Sequence, residues 1–209
     1  MTLGEIKIEA LKLMFANGHD DISEHELETL KNDNQYKDYL INMPGAINRC
    51  FSVLEERRVL PVRVAVVKRE SGSGDGHMRY FDLASIIPDF FDIERISYIS
   101  KNGEYTDVDE YEREGDVIIV PDIPLDTRVI YKPSLERILA TTDEKTVLSI
   151  PDRIACHIPY FIKGELFRVD EPDEAGEARN WFETAIAQIT KAESGKQSRV
   201  VHSYSACEV

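Results

Sequence analysis

The glycine-rich segment from Gly72 to Gly76 is the first place where the sequence suggests chemistry. It reads Gly-Ser-Gly-Asp-Gly, and such loops hold phosphate when a helix N-terminus, often with a lysine, follows directly. Here the segment Met78 to Phe81 follows instead, and its residue types are those of a strand. We therefore expect a mobile hairpin loop rather than a phosphate site.

Acidic residues are concentrated in a second segment that could bind a cation. Residues Glu104 to Asp116 include seven carboxylates and a single base, Arg113. A calcium-binding EF-hand loop needs a central glycine and a terminal bidentate glutamate at fixed positions, and this segment has neither in register. We expect a solvated acidic edge, whose charge would also discourage edge-to-edge strand aggregation.

The histidines and cysteines lack the spacing of a catalytic or metal site. No Cys/His cluster has zinc spacing, and the adjacent Cys156 and His157 would point in different directions on a helix. Three widely spaced cysteines disfavour a disulfide framework. Cys50 and Cys156 lie in apolar helical contexts, which predicts small buried side chains. The sequence therefore predicts no catalytic residue, no metal ligand and no cofactor. The residues considered are His19, His25, His77, His157, His202, Cys50, Cys156 and Cys207.

The composition is that of a globular protein that avoids membranes and nucleic acids. Of its 209 residues, 42% are apolar and 31% are charged, which suffices for a core. No stretch approaches the roughly 18 consecutive apolar residues of a membrane span. The net charge is −14, and sequence-independent DNA binding requires Lys and Arg to neutralise phosphates. We therefore expect no grip on DNA.

The first third of the chain has the apolar spacing of helices. Thr2 to Glu5 form a capping box, apolar residues then recur three or four apart, and Asn17-Gly18 predicts the end of that helix. A second capping box, Ser23 to Glu26, opens a short helix. A longer helix is predicted over about 35–58, and Pro44 should kink or break it because proline removes a backbone donor.

From Val62 onward the apolar period changes from 3.6 to 2, as in strands. Short runs are separated by turn signals such as Asn102-Gly103, which predicts an antiparallel sheet or a small sandwich. Leu83 to Phe90 predicts a short helix or a loop within it. The predicted strands cover 62–66, 78–82, 93–100, 103–106, 117–120 and 127–131.

Helical spacing returns near Ser134. Ser149 to Asp152 has cap chemistry with proline where a first turn tolerates it, and Asp170 to Pro172 starts the last helix. The sequence thus predicts an α+β protein in which a core of N- and C-terminal helices carries an inserted antiparallel β-sheet or sandwich subdomain. The predicted segments are 1–61 (N-terminal helices), 62–133 (β subdomain), 134–192 (C-terminal helices packing with 1–61) and 193–209 (an extended tail).

Aromatic residues on the last two helices are candidates for contact with another subunit. By helical geometry, only part of the clusters Tyr160-Phe161 and Trp181-Phe182 can face one core. Because aromatic residues are enriched at interfaces, Tyr160 or Trp181 could form an oligomer contact. The alternative is a simple intramolecular helix hairpin.

The same two helices carry a resemblance to a known family. Residues 158–167 read Ile-Pro-Tyr-Phe-Ile-Lys-Gly-Glu-Leu-Phe, Asp170-Glu171-Pro172 follows, and residues 179–183 read Arg-Asn-Trp-Phe-Glu. This minority of the chain resembles the C-terminal helix pair of head–tail connector (adaptor or head-completion) proteins of tailed bacteriophages and prophages. A β insertion between the helical parts is also known in that family, although here it is large.

The resemblance implies a homo-oligomeric ring, expected to be a dodecamer, in the neck of a virion assembled in the bacterial host cytoplasm. Its expected partners are the portal protein and a tail or tail-completion protein, with no membrane partner. DNA would pass through the ring without sequence-specific binding, since a channel lined by carboxylates repels phosphates. The candidate channel-lining acids are Asp107, Asp109, Glu110 and Glu112.

The resemblance also suggests where portal and subunit contacts lie. The segment Gln197 to Val209 could reach into the portal and order on binding, or it could be a disordered tail. The candidate oligomer and portal contacts are Tyr160, Trp181, Arg179, Arg199 and Tyr204.

Other functions remain open at this point. The first is another tail-completion or baseplate subunit. A second is a β-sandwich module that binds carbohydrate or protein, which would need exposed aromatic residues among Tyr80-Phe81, Phe90-Phe91 and Tyr98. The third is an enzyme, which would need a pocket with convergent groups of shifted pKa.

Overall fold

The computed structural model of the chain describes residues 1–15 and 27–197. Helices and antiparallel sheets are both present, which confirms the predicted α+β class. The chain divides into two compact units, which we call the helical unit (Met1–Cys50 with Ile138–Val209) and the β unit (Phe51–Arg137). The predicted helix end at Asn17-Gly18 and the capping box at Ser23 to Glu26 lie outside the described residues.

In the part of the chain that the structure describes, three α-helices come first, the strands follow with one short α-helix among them, and three α-helices come last. The helices are α1 (Leu3–Met14), α2 (Leu27–Leu30), α3 (Lys37–Glu56), α4 (Leu83–Ile86), α5 (Asp152–Ala155), α6 (Ile158–Leu166) and α7 (Pro172–Gln197). The strands are β1 (Arg63–Val67), β2 (Ser73–Gly74), β3 (Met78–Asp82), β4 (Phe90–Ile99), β5 (Tyr105–Asp107), β6 (Glu112–Glu114), β7 (Val117–Pro121) and β8 (Asp126–Pro133).

The β unit contains two four-stranded antiparallel sheets. The first sheet has the order β1-β8-β4-β5 and the second has the order β2-β3-β7-β6. Residues from both sheets, among them Phe81 and Ile118 on one and Ile96 and Val129 on the other, form one buried cluster. The Tyr98 hydroxyl on β4 also donates a 2.7 Å hydrogen bond to the Pro121 carbonyl on β7. The alternation of apolar and polar residues along the strands therefore has the predicted effect, because the apolar side of each sheet is buried against the other sheet.

Two of the strands escaped the sequence prediction. β6 lies in the acidic run and pairs with β7 across a turn in which Gly115 has a φ of 62°. β2 lies in the glycine-rich segment and pairs with β3, which confirms a hairpin there. A Cβ at Gly72 would lie 2.7 Å from both the Phe81 ring and the Tyr80 carbonyl oxygen, so only glycine fits that approach.

A charged network fastens this hairpin to the turn after β7. Arg69 and Arg79 both donate to Asp122, at nitrogen–oxygen distances of 2.8–3.1 Å. Arg79 also donates to the carbonyls of Arg69 and Gly72. The Asp122 side chain is only 7% exposed, and its hydrogen bonds from Arg79 and then Arg69 lower its pKa to about 2.

The helical unit begins with the predicted capping box. The Glu5 amide donates 3.1 Å to the Thr2 hydroxyl and the Thr2 amide donates 2.7 Å to the Glu5 carboxylate. The amides of Leu3 and Gly4 donate to carbonyls of residues 146 and 144. The first turn of α1 therefore leaves few amides without an acceptor, as a helix start requires.

Of the two effects predicted for Pro44, a kink or a break in the third helix, the break does not occur, because α3 runs without interruption from Lys37 to Glu56. Met43, Ile47 and Cys50 form a fully buried stripe that crosses the proline position. A proline inside a helix costs roughly 3 kcal/mol, and burial of about 1.5–3 kcal/mol per large apolar side chain offsets that cost.

The predicted return of helix near Ser134 is also wrong, since the next helix, α5, starts at Asp152. In the segment after Ser134, side chains of α3 form hydrogen bonds with backbone groups that would otherwise be bonded within a helix. Within the β unit, the Leu135 amide donates to Glu55 at 2.6 Å. Within the helical unit, the amide and carbonyl of Ile138 are both bonded to the Asn48 side chain, each at 2.8 Å.

The last helix starts at Pro172 as predicted and continues to Gln197, which is beyond the predicted start of the tail at 193. Cys50 is buried as predicted, but Cys156 is exposed, so the prediction for Cys156 is wrong. The buried face at this turn is formed by Ile154 and Ile158 instead.

Candidate functional site on the last two helices

Helices α6 and α7 pack closely through one glycine and a pair of phenylalanines. A Cβ at Gly164 would lie 3.2 Å from the Ala175 carbonyl oxygen and 3.3 Å from the Arg179 Cβ, so the helices meet at a distance that a side chain would obstruct. Phe161 and Phe182 are buried and meet edge to face, with ring centroids 5.0 Å apart. This packing fixes the orientation of both helices.

The neighbouring aromatic residues point the other way. Successive residues on a helix are about 100° apart, so burial of Phe161 and Phe182 turns Tyr160 and Trp181 away from that contact. Their rings pack on each other with centroids 5.7 Å apart and an interplanar angle of 33°. Trp181 is 58% exposed. We call this pair, Tyr160 and Trp181, the aromatic ridge.

Two surface hollows flank the aromatic ridge, and Trp181 lines both. The larger, about 490 Å³, extends along α7 past Thr184 and Ala185 to Ile189, with His157 on its other side. The smaller, about 220 Å³, is bordered by Leu13, Lys163 and Glu177. An exposed tryptophan between two concave areas is the arrangement from which protein interfaces obtain anchor residues.

Four of the seven residues that line the larger hollow are polar or charged, namely Arg153, His157, Thr184 and Gln188. The Nδ1 atom of His157 is buried and has no hydrogen-bond partner among the described residues. Burial lowers the pKa of His157, so its ring is neutral at pH 7. The hollow therefore combines an apolar side, formed by Trp181, Ala185 and Ile189, with the polar groups of the other lining residues, a mixture typical of binding surfaces.

Arg179, a predicted contact residue, is engaged within the chain. It donates to Glu165 at 2.6 Å, and Arg49 on α3 donates to the other oxygen of the same carboxylate at 2.8 Å. Its guanidinium also lies 5.5 Å from the centroid of the Phe161 ring. Arg179 therefore joins α3, α6 and α7, while its side chain stays 46% exposed. The other predicted contacts, Arg199 and Tyr204, lie outside the described residues.

The predicted channel acids lie together at one edge of the β unit. Asp107 ends β5 and is held by Arg95, whose Nε donates at 2.8 Å. This hydrogen bond lowers the pKa of Asp107. Asp109, Glu110 and Glu112 follow in the link from β5 into β6, and all three are exposed.

The single base of that acidic run is directed elsewhere. The Arg113 guanidinium contacts Asp92 and packs 5.9 Å from the centroid of the Phe90 ring. It also donates 2.8 Å to the Gly115 carbonyl. The exposed carboxylates of the run are therefore not neutralised by Arg113, and this edge is strongly negative.

Strand β1 carries an exposed apolar surface that was not predicted from the sequence. Val64 and Val66 are 53% and 50% exposed, although the strand was predicted. Val64 and Val66 alternate with Arg63 and Ala65 in the sequence, but such alternation does not show which side of a strand is covered by another element.

Within the part of the chain that the structure describes, no group of three or more His, Cys, Asp or Glu side chains is placed to hold a metal ion. None of the helices in residues 1–15 and 27–197 has both the length and the apolar character needed to cross a bilayer. No protein-family model matches the chain, and no curated protein sequence shows significant similarity to it.

Proposed function

We propose that this chain is a structural virion protein, a head-to-tail adaptor that forms a ring below the portal of a tailed bacteriophage. In this proposal the ring extends the DNA channel and presents the surface to which the tail attaches. The helices before and after the β unit form the body that self-associates, and the β unit is inserted into it.

The observation that carries the proposal is the aromatic ridge. Trp181 is 58% exposed on the same helix pair whose sequence resembles the connector family. The indole of Trp181 is largely exposed on an isolated subunit, whereas its burial in a subunit contact would stabilise an assembly.

The charge distribution supports a channel role for the acidic edge. Asp109, Glu110 and Glu112 are exposed, and Arg113 contacts Asp92 instead of them. A ring of such edges around a channel would repel DNA phosphates, so the DNA would slide without being held.

The carbohydrate-binding alternative has weaker support. Of the aromatic residues on the strands that it would use, Phe81, Phe90 and Tyr98 are buried in the core of the β unit. They are therefore not available to stack on a sugar ring. Another tail-completion or baseplate role would use the same assembly surface and differs only in the partner.

The proposal is tested by mixing the purified full-length chain with the portal protein of the same phage. We expect a closed ring by negative-stain electron microscopy. With 23.9 kDa per chain, twelve copies would add about 287 kDa to the portal mass. A chain that stays monomeric both alone and with the portal would overturn the proposal, as would a ring that binds only to the distal tail or baseplate.

A further inference from the structure

The first sheet of the β unit ends in two strands with open edges. In the order β1-β8-β4-β5, β1 and β5 are the outermost strands, and no other described strand pairs with their outer sides. An open edge presents unpaired amide and carbonyl groups that can pair with a strand of another chain. Natural proteins protect such edges against pairing unless the edge pairs with another chain. The residues along each edge therefore indicate whether it is protected or available for pairing.

The backbone of β5 is oriented for pairing on its outer side. The Ser100 amide donates to the Glu104 carbonyl and the Val108 amide donates to the Ile96 carbonyl, so residues 104 and 108 face β4. In an antiparallel strand alternate residues face opposite neighbours. The amides and carbonyls of Tyr105 and Asp107 therefore point outward.

Exposed apolar side chains lie at both edges and on the same face of the sheet. Val66 is opposite Arg128, which is opposite Ser97, which is opposite Asp107. Residues opposite each other across strands share a face, so Val64 and Val66 on β1 and Tyr105 on β5 all project from the outer face. Tyr105 is 59% exposed, and it is covered on one side by Arg128, 4.5 Å from its ring centroid.

The two edges differ in charge. Residues 62–69, which contain β1, include three bases and no acid, and Arg63 and Lys68 are balanced by Asp89 and Asp126. The β1 edge is thus near neutral, while the β5 edge continues into the exposed carboxylates of residues 109–112. Two β5 edges would repel each other, because like charges on adjacent strands are destabilising. A β5 edge therefore favours a β1 edge over another β5 edge.

Strand direction permits this pairing. Each neighbouring pair in the sheet is antiparallel, so β1 and β5 run in opposite directions across the four strands. When β5 of one copy lies beside β1 of the next, the antiparallel alternation continues, and Tyr105 comes to lie beside Val64 or Val66. Aromatic and β-branched residues form favourable cross-strand pairs.

We infer that β5 of one copy pairs with β1 of the next, so that the first sheet continues from subunit to subunit. This contact is heterologous, because the two copies use different surfaces, and such contacts produce closed rings or open filaments. The inference rests on the proposed ring and names a second subunit contact in it, in addition to the aromatic ridge.

The test is disulfide cross-linking of the full-length chain in its assembled form. In a Cys156→Ser, Cys207→Ser background, Tyr105→Cys is combined with Val64→Cys in one variant and with Val66→Cys in another. Disulfides require Cα atoms within about 7 Å, and only directly paired strands bring these positions so close. We expect one of the two variants to form a ladder of dimers, trimers and larger species under mild oxidation.

Controls separate this contact from other arrangements. Val66→Cys combined with Tyr111→Cys, an exposed tyrosine outside β5, is expected to give no ladder. A single dimer band from Val64→Cys or Val66→Cys alone would show symmetric pairing of two β1 edges and would overturn the inference.

The outcomes also separate the edge pairing from the neck proposal. A ring of the expected mass without cross-links above the Tyr111→Cys control would overturn the edge pairing and leave the neck proposal standing. Cross-linked open filaments that never close on the portal would retain the edge pairing and overturn the neck ring. A monomer that gives no cross-link with or without the portal would overturn both.

Discussion

Truncation of Trp181 to alanine tests the aromatic ridge most directly. In the isolated subunit the indole is 58% exposed, so much of its surface contributes nothing to folding. If the ridge is a subunit contact, Trp181→Ala should weaken self-association far more than it weakens the fold. The neighbouring Phe182, which is fully buried, should behave in the opposite way, since Phe182→Ala should cost about 3–5 kcal/mol of folding free energy.

The expected size follows from the exposed area. A tryptophan side chain offers roughly 250 Å², of which 58%, or about 145 Å², would be covered in an assembly. At about 25 cal/mol per Å², complete burial is worth about 3.6 kcal/mol. Because alanine keeps part of that contact, we expect a loss of about 2–3 kcal/mol per interface, a factor of about 30 to 150 in the dissociation constant.

The assay is sedimentation velocity over a concentration series, at a temperature well below the melting temperature of each variant. Ile41→Ala is the matched control, because Ile41 is 63% exposed on α3 and is not part of the ridge. Thermal melts of all variants show whether the monomer is still folded. We expect Trp181→Ala to remain monomeric where the wild type and Ile41→Ala associate.

Two results would refute the reasoning. In the first, Trp181→Ala associates as tightly as the wild type, which would mean that the indole stays in solvent in the assembly. In the second, Ile41→Ala loses association to the same extent, which would mean that any lost apolar surface has this effect and that the ridge has no special part.

Three further predictions concern packing, charge and DNA. Gly164→Val should lower the free energy of unfolding by about 1–3 kcal/mol in urea titrations, whereas Gly176→Val, where an added Cβ meets no atom within 4 Å, should leave it unchanged or slightly higher, because valine is a better helix former than glycine. The pKa of Asp122 is lowered from 3.8 to about 2 by hydrogen bonds from Arg79 and Arg69, so its stabilisation is present above pH 4 and is lost as the pH falls towards 2. Asp122→Asn should therefore melt below the wild type at pH 7, and the gap should close on acidification; a constant gap would contradict this. The protein should leave duplex DNA unbound in fluorescence anisotropy at about 0.15 M salt, and tight binding there would remove the basis of the sliding-channel argument.

Local rules determined much of the secondary structure from the sequence. The capping box at Thr2 and Glu5, the strand Met78–Asp82 and the helix start at Pro172 all appear where the residues predicted them. Each depends on neighbours within four residues along the chain, namely a cap hydrogen bond, a two-residue alternation or a proline in a first turn. These features can therefore be predicted from the sequence, because they need no partner that is distant along the chain.

Long-range contacts decided the features that the sequence did not reveal. α3 continues through Pro44 because a buried stripe holds it, and β6 forms only because β7 is beside it. Residues 134–151 remain non-helical where side chains such as Asn48 bond the backbone of Ile138. In each case the partner lies beyond the span that a local pattern can specify.

The candidate surfaces divide in the same way. The sequence alone determined that Tyr160 and Trp181 lie on the last two helices and that the carboxylates of 104–116 form a dense run. Only the tertiary structure decided that Trp181 is exposed while Phe182 is buried, and that the acidic run lies at the edge opposite the valines of β1. Periodicity fixes which residues share a face of a helix or strand, but burial depends on which other element covers that face.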